Sequence, residues 1–260
     1  MKKDIKHNPT LSILLPVRNE GINIKLMLKI LDTILDVSHE IVIVYDDKSD
    51  NTIPAIRQIQ KKQLNIRPIY NEYGKGVINA IKAGIENANG KYILILAVDD
   101  VGPTLAIDDM VYLMEHGCEF VSCTRYKYGG RRLGGSAIEA ILSQIANRLF
   151  TLLCGSAFSD ATTGFKMFRR DIRKKIALES NPVGWAVVFE MAMKAQIEGL
   201  RLGEVPIISI DRLYGGKSTF SVGSWIKEYF RWFLYGAIRF QKLNANRRIM
   251  VRIPKATIAG

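Results

Sequence analysis

Cysteine is scarce. Cys118, Cys123 and Cys154 make up the whole supply, an odd number with no CxxC spacing. That excludes a disulfide framework and a cysteine-ligated zinc site, and it fits a reducing, cytosolic setting. Histidine is equally rare: His7, His39 and His116 all lie away from the ends of apolar strands, so each reads as structural. Long apolar runs are missing too. No stretch of about 18 uncharged apolar residues occurs, which excludes a membrane-spanning helix. The longest candidate, "WIKEYFRWFLYGAIRF", is broken by Lys227, Glu228, Arg231 and Arg239. The opening "MKKDIKHNPT" is polar and lacks the apolar region of a signal peptide. There is no internal repeat and no low-complexity linker.

What remains is a globular composition, 48% hydrophobic and 24% charged over 260 residues, enough for one α/β domain with an appendage. Lys and Arg total 37 against 25 acids, a net charge of +12. Such a balance favours a polyanionic partner: lipid headgroups, nucleic acid or phosphorylated metabolites. The short apolar runs "LSILLPV", "EIVIVYD", "YILILAVDD" and "EFVSCTRY" alternate with segments of helical spacing at about 22–36, 52–63, 76–88 and 104–116. That alternation predicts a mostly parallel sheet covered on both faces. Asp50 or Asn51 is placed to cap the second helix and Thr104 the fourth. "KYGGRRLGGS" reads as a mobile basic loop, followed by an apolar helix at about 136–153. After it come a loop "GSAFSDATTGFKMF", a helix near 185–198 and a last strand "LGEVPIIS". The closing helix mixes Trp225, Tyr229, Trp232, Phe233 and Tyr235 with Lys227, Arg231 and Arg239. It suits either a membrane interface or a helix packed on the body with its aromatics in the core.

In open α/β sheets ligands bind beyond the carboxyl ends of the strands. The segments there are "PVRNE", "YDDKSDNT", "NEYGKG" and "AVDDVGP", with acids crowded at two of the mouths. Crowded carboxylates repel, and a divalent cation or the donors of a ligand relieve that cost. Oxygen ligands suit Mg²⁺ or Mn²⁺, with a diphosphate completing the shell.

The ordered set Pro-x-x-Asn-Glu, Asp-Asp-x-Ser-x-Asn-Thr, Asn-Glu-x-Gly-Lys-Gly, an aspartate-ended strand and Thr-Arg-Tyr resembles the family 2 glycosyltransferases. Within them it looks most like the polyprenyl-phosphate sugar synthases, the dolichyl-phosphate mannose synthase group. "DATTGFKMFRR", "NPVGWAVVFEM" and "VPIISIDRLYGGKS" are similar to later segments of those enzymes, and the resemblance spans about Leu11 to Lys242. It implies a GT-A, Rossmann-like fold of the nucleotide-diphospho-sugar transferases over residues 11–220. Before that domain comes a tail at 1–10, and after it a membrane-associating amphipathic helix with a basic tail at 221–260.

Carried over, the resemblance implies a donor pocket lined by Pro16, Arg18, Glu20, Val44, Asp46, Lys75, Ala97, Val98 and Asp99, with Asp46 accepting from the base. Asp99 falls on the second acid of the family's Asp-x-Asp and is the implied ligand for Mg²⁺ or Mn²⁺, with Asp100 as a helper. Arg125 and Arg212 would neutralise phosphate charge. Arg131, Arg132, Ser143, Lys217 and Ser218 would meet the acceptor phosphate. The implied reaction is inverting transfer of a sugar from a nucleotide diphosphate sugar to a polyprenyl phosphate, dolichyl or undecaprenyl, on the cytoplasmic face of a membrane. A phosphate acceptor is already anionic at neutral pH, so it needs orientation and charge neutralisation more than a strong base. No nucleic-acid partner is implied, and the oligomeric state stays open.

Three positions depart from the family pattern: Ala97 replaces the first acid of Asp-x-Asp, Glu139 replaces an arginine, and the closing lysine is displaced to Lys217. A non-catalytic nucleotide-sugar-binding relative therefore remains an alternative. So does transfer to a sugar hydroxyl in polysaccharide synthesis, which would need a carboxylate base such as Asp160 or Glu190.

Overall fold

The computed structural model describes residues 8–60, 65–134, 137–210, 222–240 and 249–254. Its first half alternates β1 (Leu11–Pro16), α1 (Asn23–Ile34), β2 (His39–Tyr45), α2 (Thr52–Gln60), β3 (Ile66–Tyr70), α3 (Val77–Asn87) and β4 (Tyr92–Ile95). A 3₁₀ turn at Gly102–Ala106 leads into α4 (Ile107–Glu115) and β5 (Phe120–Thr124). The second half runs β6 (Arg131–Leu133), α5 (Ala137–Cys154), β7 (Lys166–Arg169), α6 (Ala186–Ile197), β8 (Leu202–Pro206), β9 (Ile208–Ile210), α7 (Val222–Phe240) and β10 (Ile249–Val251).

Among the described residues eight strands form one sheet in the order β10-β8-β5-β7-β4-β1-β2-β3, and β6 pairs with β9 in a small second sheet. All pairings are parallel except those of β7, which runs antiparallel between β4 and β5. The period of two along a strand divides the core. Leu11, Ile13 and Leu15 face a layer with Ile24, Leu28, Ile56 and Met110, while Leu14, Val42 and Ile93 face one with Ile81, Phe189 and Trp232.

Several sequence expectations are corrected. β7 lies inside the stretch expected as a loop, and β6 inside the stretch expected as mobile. "LGEVPIIS" is two strands, because Pro206 ends the first and Ile208–Ile210 turns away to pair with β6. Thr104 does not cap a helix: it sits within the 3₁₀ turn and its hydroxyl donates to the Val101 carbonyl at 2.6 Å. Asp50 does cap α2, accepting from the Thr52 N–H at 2.8 Å. In α7 the aromatic side is core, with Trp232 only 1% exposed and Tyr229, Phe233 and Tyr235 packed beside it. Among the described residues no helix is long and apolar enough to cross a membrane. His39 and His116 bind backbone carbonyls of Val37 and Tyr112, as structural histidines do; His7 lies outside the described residues.

Candidate active site

The mouths of β1 and β2 are laced together by one acid. Asp50, almost fully buried, accepts the Asn19 N–H on both oxygens at 3.0 Å. The Thr52 hydroxyl, held on the same carboxylate at 2.5 Å, accepts the Glu20 N–H at 2.8 Å. Asn19 adopts a left-handed φ of 59°, which asparagine tolerates better than most residues. Arg18 is thereby held exposed at the rim, with Pro16 and Glu20 half-buried and Val44 fully buried behind them.

At the end of β2 the half-buried Asp46 uses one oxygen only. Its Oδ2 accepts the Gly76 N–H at 3.0 Å, where α3 begins. Among the described residues its Oδ1 is the buried side-chain polar atom without a hydrogen-bond partner. An unmet buried acceptor costs about 1–3 kcal/mol, so this oxygen is suited to an N–H that arrives with a ligand. Lys75 stands beside it, exposed and paired with Asp47 at 3.6 Å. Asn71 shapes the loop between them, donating to the Gly74 carbonyl and accepting from the Tyr73 N–H.

β4 ends at Ile95, so Ala97, Val98 and Asp99 are no longer alternating strand positions. Val98 is buried, whereas Ala97 and Asp99 are half-buried in the turn. Asp100 serves the neighbouring sheet: it accepts the Ser209 hydroxyl at 2.5 Å and the Ile210 N–H at 2.8 Å. A side chain at Gly102 would run into the Ile208 carbonyl oxygen, so the chain passes β9 closely here. No group of three or more acids, histidines or cysteines able to hold a metal occurs among the described residues. Mg²⁺ is nonetheless commonly held by one or two carboxylates together with substrate phosphates, and Asp99 fits that sparser arrangement.

The region between β5 and α5 is organised by a buried ion pair. The Arg125 guanidinium meets Asp160 in a fork, Nε to Oδ2 at 2.7 Å and Nη2 to Oδ1 at 2.9 Å, with side chains 12% and 0% exposed. Burial works against both charges, but each partner overrides it: Asp160 is held below the usual carboxylate range and Arg125 is pushed up. Ser143 from α5 joins this group, accepting from Arg125 at 3.3 Å and from the Tyr126 hydroxyl at 2.9 Å. Asn147 and Thr162 complete it. Behind them Lys166 is fully buried, donating to Ser122 at 2.7 Å, and burial pushes its ammonium down to about 8. Glu204 is also buried, on the N–H and hydroxyl of Ser159, and its carboxyl is pushed up by burial.

Arg131 and Arg132 lie on β6, in register with Ile208 and Ser209 of β9. Because Ser209 binds Asp100, both arginines sit one strand away from the β4 mouth. Arg212, Lys217 and Ser218 fall outside the described residues. The sequence reading missed Lys166 and Glu204 as members of a buried network. A usable signal existed, since a lone charge inside an apolar strand such as "GFKMF" or "LGEVPII" is seldom buried unless paired.

The chain matches the family Glycosyl transferase family 2 over residues 12–177. Dolichol-phosphate mannosyltransferase of Pyrococcus furiosus is 23% identical over 229 residues, 85% of this chain and 64% of that protein. Dolichyl-phosphate beta-glucosyltransferase of Dictyostelium discoideum is 28% identical over 223 residues, 77% and 66% respectively. The chain thus spans just under two thirds of the length of these relatives. Among solved structures, glucosyl-3-phosphoglycerate synthase of Mycobacterium tuberculosis with phosphoglyceric acid aligns at 15% identity over 88% of this chain and 80% of that one, with a TM-score of 0.67. The same enzyme with Mn²⁺, uridine diphosphate and glucosyl-3-phosphoglycerate aligns at 14% identity, 89% and 80% coverage and a TM-score of 0.64. With a GT-A fold and the family's segments in their order along the sheet mouths, the chain belongs to glycosyl transferase family 2.

Proposed function

We propose that this protein transfers a sugar, with inversion, from a uridine diphosphate sugar to a polyprenyl phosphate at the cytoplasmic face of a membrane. The observation that carries the donor half is Asp46, with one oxygen held by Gly76 and the other buried and unmet. Uracil offers a single N–H on its pairing edge, which suits one vacant acceptor; guanine offers two adjacent donors and would want both oxygens. The relatives solved with uridine diphosphate agree with that choice. Asp46→Ala is expected to weaken uridine diphosphate binding at least tenfold by titration calorimetry, and wild-type affinity would remove the donor assignment.

Asp99 would share a Mg²⁺ or Mn²⁺ ion with the donor diphosphate, and the ion would neutralise charge on the leaving group. Arg131 and Arg132 would hold the acceptor phosphate, and Arg125, fixed by Asp160 and backed by Ser143, would add positive potential. Transfer to a sugar hydroxyl is disfavoured by the two carboxylates that could act as its base. Asp160 is closed in by Arg125, and Glu190 is fully buried on the N–H groups of Glu179 and Ser180. The deciding assay incubates the protein with membranes, labelled nucleotide sugars and EDTA controls. Label in an acid-labile lipid supports the reading; label confined to polysaccharide overturns it.

The membrane contact we propose uses different residues from those the aromatic pattern suggested. α5 exposes Ile138, Ile141, Ile145, Leu149, Leu152 and Leu153, and α7, packed against it, exposes Phe230, Leu234 and Ile238 with Lys227, Arg231 and Arg239 on the exposed side. Aliphatic bodies flanked by cations suit an anionic bilayer surface. Inserting hydrocarbon contributes about 0.8 kcal/mol per CH₂. Ile141→Glu combined with Leu152→Glu should therefore cut sedimentation with anionic vesicles more than tenfold, whereas unchanged sedimentation would move the contact elsewhere.

A further inference from the structure

The loop "ESNPVGW" between the 3₁₀ turn at Arg170–Lys174 and α6 hangs from two buried glutamates on different helices. Glu190 of α6 takes the Glu179 N–H at 2.6 Å, the Ser180 N–H at 2.8 Å and the Ser180 hydroxyl at 2.5 Å. Glu228 of α7, 4% exposed, takes the Asn181 N–H at 3.0 Å on Oε1 and the Asn181 side-chain amide at 2.8 Å on Oε2. The Trp232 indole N–H at 3.0 Å and Arg231 at 3.2 Å share Oε1. Burial opposes its charge, but these donors prevail and hold the carboxyl below its usual range.

The next residue, Pro182, reaches the donor pocket. A Cβ built on Gly76 would lie 2.7 Å from the Pro182 Cβ, so proline and glycine are in close contact, and φ at Gly76 is +123°, a conformation that favours glycine. Gly76 is the residue whose N–H holds Asp46 Oδ2. A continuous chain of contacts therefore runs from Glu228 through Asn181 and Pro182 to Gly76 and the base-reading carboxylate.

We infer that Glu228 is a positioning residue for the donor base: by fixing Asn181–Pro182 it fixes Gly76, and so keeps Asp46 Oδ1 facing the base. This inference rests on the donor reading of Asp46. A carboxylate on the far helix, in contact with no ligand, thereby sets nucleotide affinity, and a shift of α7 on the body alters it. The purely structural role for Glu228, anchoring α7 through Trp232, would lower stability without touching the nucleotide.

The test measures uridine diphosphate binding by calorimetry and thermal melting for Glu228→Ala, Asn181→Ala, Asp46→Ala and the pair Glu228→Ala with Asn181→Ala, all in the full chain. Expected is about a tenfold loss of affinity in Glu228→Ala and a smaller loss in Asn181→Ala, which removes the side-chain amide bond but keeps the Asn181 N–H on Oε1; the pair should lose no more than Glu228→Ala alone, since both act on one link. In transfer assays the same two variants should raise KM for the donor more than they lower kcat. Glu228→Gln, which keeps one acceptor oxygen for Asn181, should recover part of the affinity. If Asn181→Ala, which leaves the Trp232 bond intact, binds like the wild type, the inference is overturned even should Glu228→Ala fail to fold. If Asp46→Ala also binds normally, the donor reading itself falls.

Discussion

Asp99→Ala is expected to reduce sugar transfer by a factor of about 10² to 10³ while leaving the far-UV circular dichroism spectrum unchanged. The size follows from what removing one preorganised electrostatic contact to a developing charge usually costs, about 2.7–4 kcal/mol. The location supports it. β4 has ended four residues earlier, and the half-buried carboxylate stands in a turn at the strand mouth. The neighbouring Asp100 supplies the contrast. Its carboxylate fastens β9 through Ser209 and Ile210, so Asp100→Ala should lower the melting temperature. Transfer assays with Mn²⁺ across both variants separate the roles, and a near-normal rate for Asp99→Ala would remove Asp99 from the chemistry. In sequence the two aspartates are twins; the fold gives them different surroundings because the strand stops before them and β9 comes up beside the second.

The alternation of apolar strands with helical segments was sufficient to place β1, β2, β4, β5 and the helices between them, because both faces of this sheet are covered and the apolar runs are continuous. β7 escaped because it is four residues long, begins with a lysine and enters the sheet antiparallel, so neither length nor periodicity marked it. β6 escaped for a related reason: glycines and arginines surround it, and it exists only by pairing with β9. At the site, the strand-mouth segments were legible as a set. Their internal division was not, since it depends on long-range partners: Asp50 on Asn19, Asp100 on Ser209, Asp160 on Arg125. The aromatics of α7 show the same limit. A run of Trp, Tyr and Phe with cations suits an interface and a core alike, and only the packing of Trp232 against the body decides for the core.

Asp160→Ala is expected to be strongly destabilising. It deletes the carboxylate that faces Arg125 in a two-pronged pair and also offsets the charge on Lys166, leaving two buried cations with less negative charge nearby. Removing one partner of a buried pair costs about 3–5 kcal/mol. For a chain of this size each kcal/mol shifts the melting temperature by roughly 2–4 °C, so a drop of about 10 °C is expected by calorimetry or thermal circular dichroism. Asp160→Asn keeps an acceptor for Arg125 and for the Arg125 N–H, and should lose less. Adding Lys166→Met to Asp160→Ala removes one of the stranded cations and should restore part of the loss, a non-additivity that independent sites do not show. A single-variant loss below about 1 kcal/mol would mean that water reaches the pair and screens it as at a surface. Under the proposed function, the same network would let Arg125 face a phosphate without collapsing onto it. Its guanidinium is already held on one edge by Asp160, with Ser143 and Thr162 fixing its plane, so the positive charge is presented in place before any ligand arrives.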